Sequence, residues 1–327
     1  MTATAGAAAV TALSEDTDRL LAAEPDVRAD APDSVHQMRV ATRRLRSVLR
    51  SYGSLFEAEP AAELGAELKW LAGVLGEARD AEVRAERFAG LVEAYSRRGT
   101  VRRDALGTRL VRAERDRYAA AHAAVLEALD GARYAELHIA LALWRESPPL
   151  LPTRSQLPAP QVFEGVLRAD RKRLTKKAGR LSTVSGAERV ELLHDIRKSA
   201  KRLRYSCEAA AETIGAEAAA AGDRAKKLQT VLGDHRDAVE SRDAILVRAE
   251  EAEADGGSRR IYAELAKAEK KAARKALAKY PDALAKLKEH GHVRAPEPAS
   301  RPEQNEGASG KKVAADRNGS GTAVHAE

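Results

Sequence analysis

Two copies of one histidine- and arginine-rich pattern are the residues of this chain best suited to chemistry. The first copy begins at His36 and reads HQMRVATRRLRSVLR, and the second begins at His194 and reads HDIRKSAKRLRYSCE. Both follow His-x-x-Arg-x-x-x-(Arg/Lys)-(Arg/Lys)-Leu-Arg. Arginine donates parallel hydrogen bonds to phosphate oxygens and stays charged, so a row of arginines can follow an extended anion.

The spacing of three and four residues predicts that each copy is an amphipathic helix. The cationic side of the first helix comprises His36, Arg39, Arg43, Arg46 and Arg50. The cationic side of the second comprises His194, Arg197, Lys201 and Arg204. No acidic residue interrupts either side before Glu208, which stands where the first copy has Arg50. Like charges at this spacing destabilise a helix by about 0.2–0.5 kcal/mol per pair, so an external polyanion is the natural compensation.

The composition predicts an all-α protein with a modest excess of positive charge. The chain has 56 Lys and Arg against 49 Asp and Glu, and only 4% of its 327 residues are aromatic. Alanine, leucine, arginine and glutamate, which dominate it, are good helix formers. The lone Cys207 excludes an internal disulfide and indicates a reducing compartment. We expect a cytoplasmic protein without membrane attachment, because no signal peptide and no long uncharged run is present.

The two halves of the chain also match at a second landmark. LAGVLGEARD from Leu71 parallels LQTVLGDHRD from Leu228, at nearly the separation of the two histidines. This predicts an internal duplication, with two helical bundles related by a pseudo-two-fold axis and the basic helices facing one cleft. The predicted segments are a flexible 1–12, a first half 13–146, a proline-rich linker 147–160, a second half 161–292 and a disordered tail 293–327.

Together these motifs resemble the CHAD (conserved histidine α-helical domain) family over roughly residues 31–290. The resemblance implies two four-helix bundles around a positively charged central cleft that binds inorganic polyphosphate, in many bacteria on polyphosphate granules. The positions that match the family's motif are His36, Arg39, Arg43, Arg44, Arg46, His194, Arg197, Lys201, Arg202 and Arg204. Lys198 and Tyr205 lie beside the second stripe and complete the candidate set together with Arg50.

Two departures distinguish this sequence from a symmetric member of the family. Val40 stands where the second copy has Lys198, so the two halves are not expected to contribute equally. Many relatives also carry a CYTH domain with a Glu-x-Glu-x-Lys signature, which is missing here. A stand-alone CHAD protein is therefore expected.

Other functions remain open from the residues. One is a metal-dependent polyphosphate hydrolase or other phosphohydrolase, since His194-Asp195 resembles the motif of the HD hydrolases. However, Gln37 follows His36 in the first copy, and the sequence shows no further metal ligands and no nucleotide-binding loop. Non-specific nucleic-acid binding is another, although Tyr205 is the only aromatic residue beside the stripes. We expect a binding protein rather than an enzyme, with no cofactor and no metal. A scaffold that contacts other granule proteins is compatible with this.

Three features have two readings each. Each histidine is either a group that titrates with the ligand or one that bonds a neighbouring helix and fixes the cleft. The pairs Arg79-Asp80 and Arg236-Asp237 are expected to tie helices together rather than contact ligand. The cations between Arg168 and Arg180 either extend the basic surface or form a solvated face.

Overall fold

The computed structural model describes residues 3–97 and 103–289, with the backbone alone from 103 to 108. The α-helices are α1 (Ala5–Arg28), α2 (Ser34–Ser51), α3 (Ala58–Ser96), α4 (Arg103–Asp130), α5 (Ala132–Glu146), α6 (Pro152–Ser155), α7 (Ala159–Gly179), α8 (Gly186–Ile214), α9 (Ala216–Ala254), α10 (Arg260–Leu277) and α11 (Tyr280–Glu289). Within these ranges there is no strand, only two isolated backbone bridges that tie the segment before α7 to Thr4 and Phe56. The predicted all-α class is confirmed.

The helices on the two sides of the proline-rich segment pack in the same order. Helix α1 packs on α2, α2 on α3 and α3 on α4; likewise α7 packs on α8, α8 on α9 and α9 on α10. Helices α3 and α9 each have 39 residues, and each carries one Leu-Gly-x-x-Arg-Asp motif. This repeated order is the arrangement that an internal duplication predicts.

Apolar side chains form two core clusters, and both draw on helices from either side of the proline-rich segment. The larger cluster contains residues of α1, α2, α5, α7, α8 and α11 together with the N-terminal parts of α3 and α9. The smaller one joins the far ends of the two long helix pairs, with Phe88 and Leu110 packed near Ile245 and Leu265. Bidentate contacts of Arg87 with the buried Glu269, at 2.6 and 2.7 Å, connect the same ends.

The expected boundary at the N-terminus needs correction. Residues 1–12 were expected to be flexible, but α1 begins at Ala5, and Ala5 and Ala9 are fully buried. Small alanines give no apolar periodicity, yet they favour helix and let α1 pack closely. Helix α9 runs through Gly233, and α10 and α11 follow it. The tail 293–327 lies outside the described residues.

No helix in the described ranges combines the length and apolarity needed to cross a bilayer.

Candidate functional site

Helices α2 and α8, which carry the two basic stripes, contact each other directly. The Ser51 and Ser206 hydroxyls are 2.8 Å apart, and the Tyr52 hydroxyl donates to the Ser206 carbonyl at 2.9 Å. Tyr52 also stacks on Phe163 of α7 with ring centroids 4.2 Å apart. The two helices that carry the stripes are therefore neighbours in the fold.

Two arginines at matching positions lie against glycines of the long helices. The guanidinium group of Arg39 lies beside Gly76 of α3, and that of Arg197 lies beside Gly233 of α9. The Nε atoms of both arginines are buried and find no hydrogen-bond partner among the described residues. A buried donor without a partner costs about 1–3 kcal/mol, so an acceptor from a ligand would be favourable at both positions.

The aspartates of the Arg-Asp pairs face these two arginines. Asp80 forms an ion pair with Arg39 at 3.2 Å, across α2 and α3. Burial raises the pKa of the matching Asp237, and the charge of Arg197 opposes that increase. The expectation that these pairs tie helices together therefore agrees with the contact of Asp80.

Arg43 has two like charges, Arg39 and Arg197, as neighbours. Its side chain is half-buried and has no carboxylate partner among the described residues. Burial lowers the pKa of Arg43, and the charges of Arg39 and Arg197 add to the decrease while Tyr205 and Asp80 oppose it, so that the pKa is about 10. The guanidinium still remains charged at neutral pH, so Arg43 provides a partly desolvated positive charge next to two others.

Both histidines border this cluster and face an arginine of the Arg-Asp pairs. Burial lowers the pKa of His36, and the charges of Arg79 and Arg39 add to the effect. Burial also lowers the pKa of His194, and the charges of Arg236 and Lys198 add to the effect. A nitrogen of Arg236 lies 2.9 Å from Nδ1 of His194. Because arginine can only donate, His194 Nδ1 accepts this bond, which leaves the proton of the neutral ring on Nε2.

Two residues assigned through the resemblance, Arg44 and Arg202, form ion pairs with the protein's own carboxylates, although the Nε atom of Arg202 has no well-aligned hydrogen bond. Arg44 donates to Glu208 at 2.7 Å and lies 3.8 Å from the buried Asp16 of α1. Arg202 lies 2.8 Å from Asp170, the buried carboxylate of α7. Both arginines therefore connect their helix to the one before it, and they do not join the Arg39–Arg43–Arg197 cluster.

The remaining residues of the second stripe differ in how far they are neutralised. Arg204 forms an ion pair with Glu208 at 2.6 Å, and the exposed Lys198 pairs with Asp195 at 2.7 Å. Lys201 is half-buried, makes no ion pair among the described residues, and lies 5.8 Å from the ring centre of the buried Tyr205. Among the three cations Lys198, Lys201 and Arg204, Lys201 therefore has the charge that is most available to a ligand.

Arg46 and Arg50 lie at the other end of the first stripe. They line an open depression of about 340 Å³ between the end of α2 and the start of α3. Burial lowers the pKa of Arg46, and the neighbouring Arg50 lowers it further. Neither residue makes an ion pair in the described part of the chain, so both remain available to an anion at the edge of the site.

Sequence reasoning missed two parts of this arrangement. It identified the Leu-Gly-x-x-Arg-Asp segments as a repeat, but it did not place Gly76 and Gly233 against the arginines or Arg236 against His194. The signal was available in the repeat itself, since a glycine in the middle of a 39-residue helix usually marks a close approach. The carboxylates that hold Arg44 and Arg202 lie on other helices, where spacing within one segment cannot reveal them.

Comparison with known proteins decides the family. The model of the CHAD domain matches residues 11–246, most of the described chain. The chain belongs to the CHAD domain family. Its fold is also similar to the crystal structure of the CHAD domain from the plant Ricinus communis, with 25% identity and a TM-score of 0.61 over 90% of this chain and 94% of that one.

Further relatives extend the comparison. PptA from Streptomyces chartreusis shares the fold, with 19% identity and a TM-score of 0.70 over 86% of this chain and all of that one. Two uncharacterized proteins of Mycobacterium tuberculosis, MT2285 of strain CDC 1551 and Rv2226 of strain H37Rv, are each 40% identical over 245 residues. That match covers 73% of this CHAD chain but 45% of the relatives' length, so the chain spans about half of them.

The residues proposed for metal-dependent chemistry have other contacts. Asp195 bonds Lys198 and Lys177, and these two bonds lower its pKa. His194 is bonded to Arg236 through Nδ1. Throughout the described ranges, no group of three or more His, Cys, Asp and Glu side chains is placed to hold a metal ion.

Proposed function

We propose that this CHAD protein binds inorganic polyphosphate through the cluster of Arg39, Arg43, Arg197 and Lys201, with His36 and His194 at its border. The observation that carries the proposal is Arg43, a half-buried guanidinium with like charges beside it and no carboxylate partner among the described residues. A phosphate chain would supply acceptors for this group and for the partnerless Nε atoms of Arg39 and Arg197.

The packing of the helices supports a cleft at this place. Helices α2 and α8 meet near Ser51 and Ser206, whereas α3 meets α10 near Arg87 and Glu269. The cluster residues lie on α2 and α8, before the first of these junctions along both helices. A linear polymer could pass there with cations from both basic helices on its path.

Polyphosphate fits the cluster better than a nucleic acid does. The aromatic residue at the site, Tyr205, is buried and 5% exposed, so bases would find no exposed ring on which to stack. Binding without hydrolysis is proposed because the potential metal ligands beside the cluster already have other partners: Asp80 pairs with Arg39, and His194 accepts a hydrogen bond from Arg236. Residence on polyphosphate granules in the cytoplasm and contact with other granule proteins follow as further parts of the proposal.

Calorimetric titration with long-chain polyphosphate tests the proposed function. We expect saturable binding that weakens steeply with added salt, because the phosphates release counterions on binding. Single-stranded DNA at equal phosphate concentration should compete poorly, and incubation with Mg²⁺ or Mn²⁺ should release no phosphate. Equal competition by DNA would favour the nucleic-acid alternative, and phosphate release that depends on metal would favour the hydrolase.

Polyphosphate binding should tighten as the pH falls from about 8 to 6, the range in which histidine titrates. Both histidines have a pKa below the ordinary 6.5 in the free protein. A bound polyanion raises the pKa, so the complex takes up protons, and affinity rises by at most about tenfold for each histidine whose pKa increases by one unit. His36 should contribute more, because His194 must first give up its bond from Arg236. Titrations of His36→Gln and His194→Gln at both pH values check this; a slope that survives in the double variant would contradict it.

A further inference from the structure

Helix α10 and the turn that follows it carry a row of cations on the surface of the protein. This row, the α10 ridge, comprises the exposed residues Lys267, Lys270, Lys271, Arg274, Lys275 and Lys279. The spacing of three and four residues places them along one side of the helix, over about 18 Å at 1.5 Å per residue. The acid within this stretch, Glu269, faces inward and is 1% exposed.

The ridge is not neutralised by carboxylates of the described chain. Its six cations make no ion pair there, and Glu269 is already bonded to Arg87 and to the Ser241 hydroxyl. Helix α7, which the sequence marks as equally basic, differs in this respect. Its Arg173 bonds Asp170 at 2.6 Å, and its Lys177 bonds Asp195 at 3.1 Å. Helix α7 therefore has internal partners for much of its charge, whereas the α10 ridge does not.

The ridge is also held in place, and α10 meets α3 at Arg87, eleven residues beyond the Gly76 that contacts Arg39. The opposite side of α10 is packed into the smaller core through Tyr262, Leu265 and Ala266. The match to the CHAD domain model ends at residue 246, before α10 begins. The positions of the ridge are therefore outside the residues that the family model matches.

We propose that the α10 ridge is a second contact for inorganic polyphosphate, on the opposite side of α10 from the core. This inference rests on the proposed function. A long chain held at the inner cluster brings its remaining phosphates close to the ridge at high effective concentration. Exposed lysines without a surrounding pocket suit a flexible polymer of dense charge, since they need no fixed geometry.

Two other polyanions fit the ridge less well. The apolar side of α10 is buried in the core, so the helix cannot insert into a lipid surface in the manner of amphipathic membrane helices. The ridge carries no aromatic residue on which a base could stack, since Tyr262 and Tyr280 are buried. Anionic vesicles and single-stranded DNA are therefore used as comparison ligands in the test.

The test compares two variants that lose the same charge. The ridge variant has glutamine at all six ridge positions. The control variant has glutamine at six exposed cations elsewhere, namely Lys69, Arg154, Lys172, Lys176, Lys226 and Lys227. Circular dichroism confirms that both retain the helix content of the wild type.

Binding is measured with long-chain polyphosphate and with tripolyphosphate, which is too short to contact the inner cluster and the ridge at once. For the long chain, the ridge variant should bind at least about tenfold more weakly than the control variant. The slope of log affinity against log salt should fall in magnitude by up to about 4 for six lost contacts. Tripolyphosphate should bind both variants within about twofold of each other, because it occupies one site at a time.

Each outcome decides between distinct conclusions. Equal weakening in the two variants would overturn the ridge as a site and leave net charge as the cause, with the proposed function intact. Equal or greater loss of binding to single-stranded DNA or phosphatidylserine vesicles in the ridge variant would overturn polyphosphate as its ligand. Failure of the wild type to bind polyphosphate of either length would overturn the proposed function and the ridge together.

Discussion

Replacing Arg39, Arg43, Arg197 and Lys201 together by glutamine is expected to weaken polyphosphate binding by about three orders of magnitude. Hydrogen bonds to charged groups contribute at least about 1 kcal/mol each, and four such losses correspond to roughly a thousandfold. The slope of log affinity against log salt should fall in magnitude by about 3, by analogy with single-stranded nucleic acids. Calorimetric titration at several salt concentrations measures both quantities.

A charge-matched variant separates the site from the general charge of the protein. Its four substitutions to glutamine are at the exposed Lys69, Lys172, Lys226 and Lys227. This control should bind within a few-fold of the wild type, because surface charges away from the ligand act only through a screened field. If both variants weaken equally, the inner cluster is not the binding site.

The all-α class and the basic helices follow from local pattern. Three- and four-residue spacing sets helix periodicity, and an apolar side opposite a charged one fixes which side is buried. The prediction that residues 1–12 are flexible was wrong. Alanine packs through its small size rather than through a large apolar area, so its burial leaves no periodic signal in the sequence. The shared cores also could not be foreseen, since the junction of Phe88 with Ile245 joins residues far apart in the sequence.

In the candidate site, too, local pattern identifies some features, whereas others depend on contacts between helices. Arg39 and Arg197 were selected from the repeat, and the structure brings them to equivalent glycines. Arg44 and Arg202 occur in the same repeat, but their partners are acids of other helices, namely Glu208 and Asp16 for Arg44 and Asp170 for Arg202, and no spacing rule connects them. A charge on a predicted helix thus identifies a candidate, whereas its availability depends on carboxylates from other helices.

Asp170→Asn should lower the free energy of unfolding by about 3 kcal/mol, because it leaves the half-buried Arg202 without its counter-charge. Asp170 is 2% exposed, lies 2.8 Å from Arg202 and 2.6 Å from Arg173, and accepts from the Ser206 hydroxyl at 2.8 Å. Asp16→Asn should cost less, since Arg44 keeps Glu208 at 2.7 Å. Urea denaturation of both variants measures the difference.

The same variants decide what Arg202 does. The exposed pair of Asp18 with Arg145 provides the control, because Asp18→Asn at a solvated ion pair should change stability by less than about 1 kcal/mol. If Arg202 is a structural residue, the folded Asp170→Asn protein keeps wild-type affinity for polyphosphate. If Asp170→Asn leaves stability unchanged but alters polyphosphate affinity, Arg202 belongs to the binding site, as the family resemblance implies. An ion pair with a buried carboxylate therefore distinguishes an arginine that holds α8 in place from one that is available to a ligand.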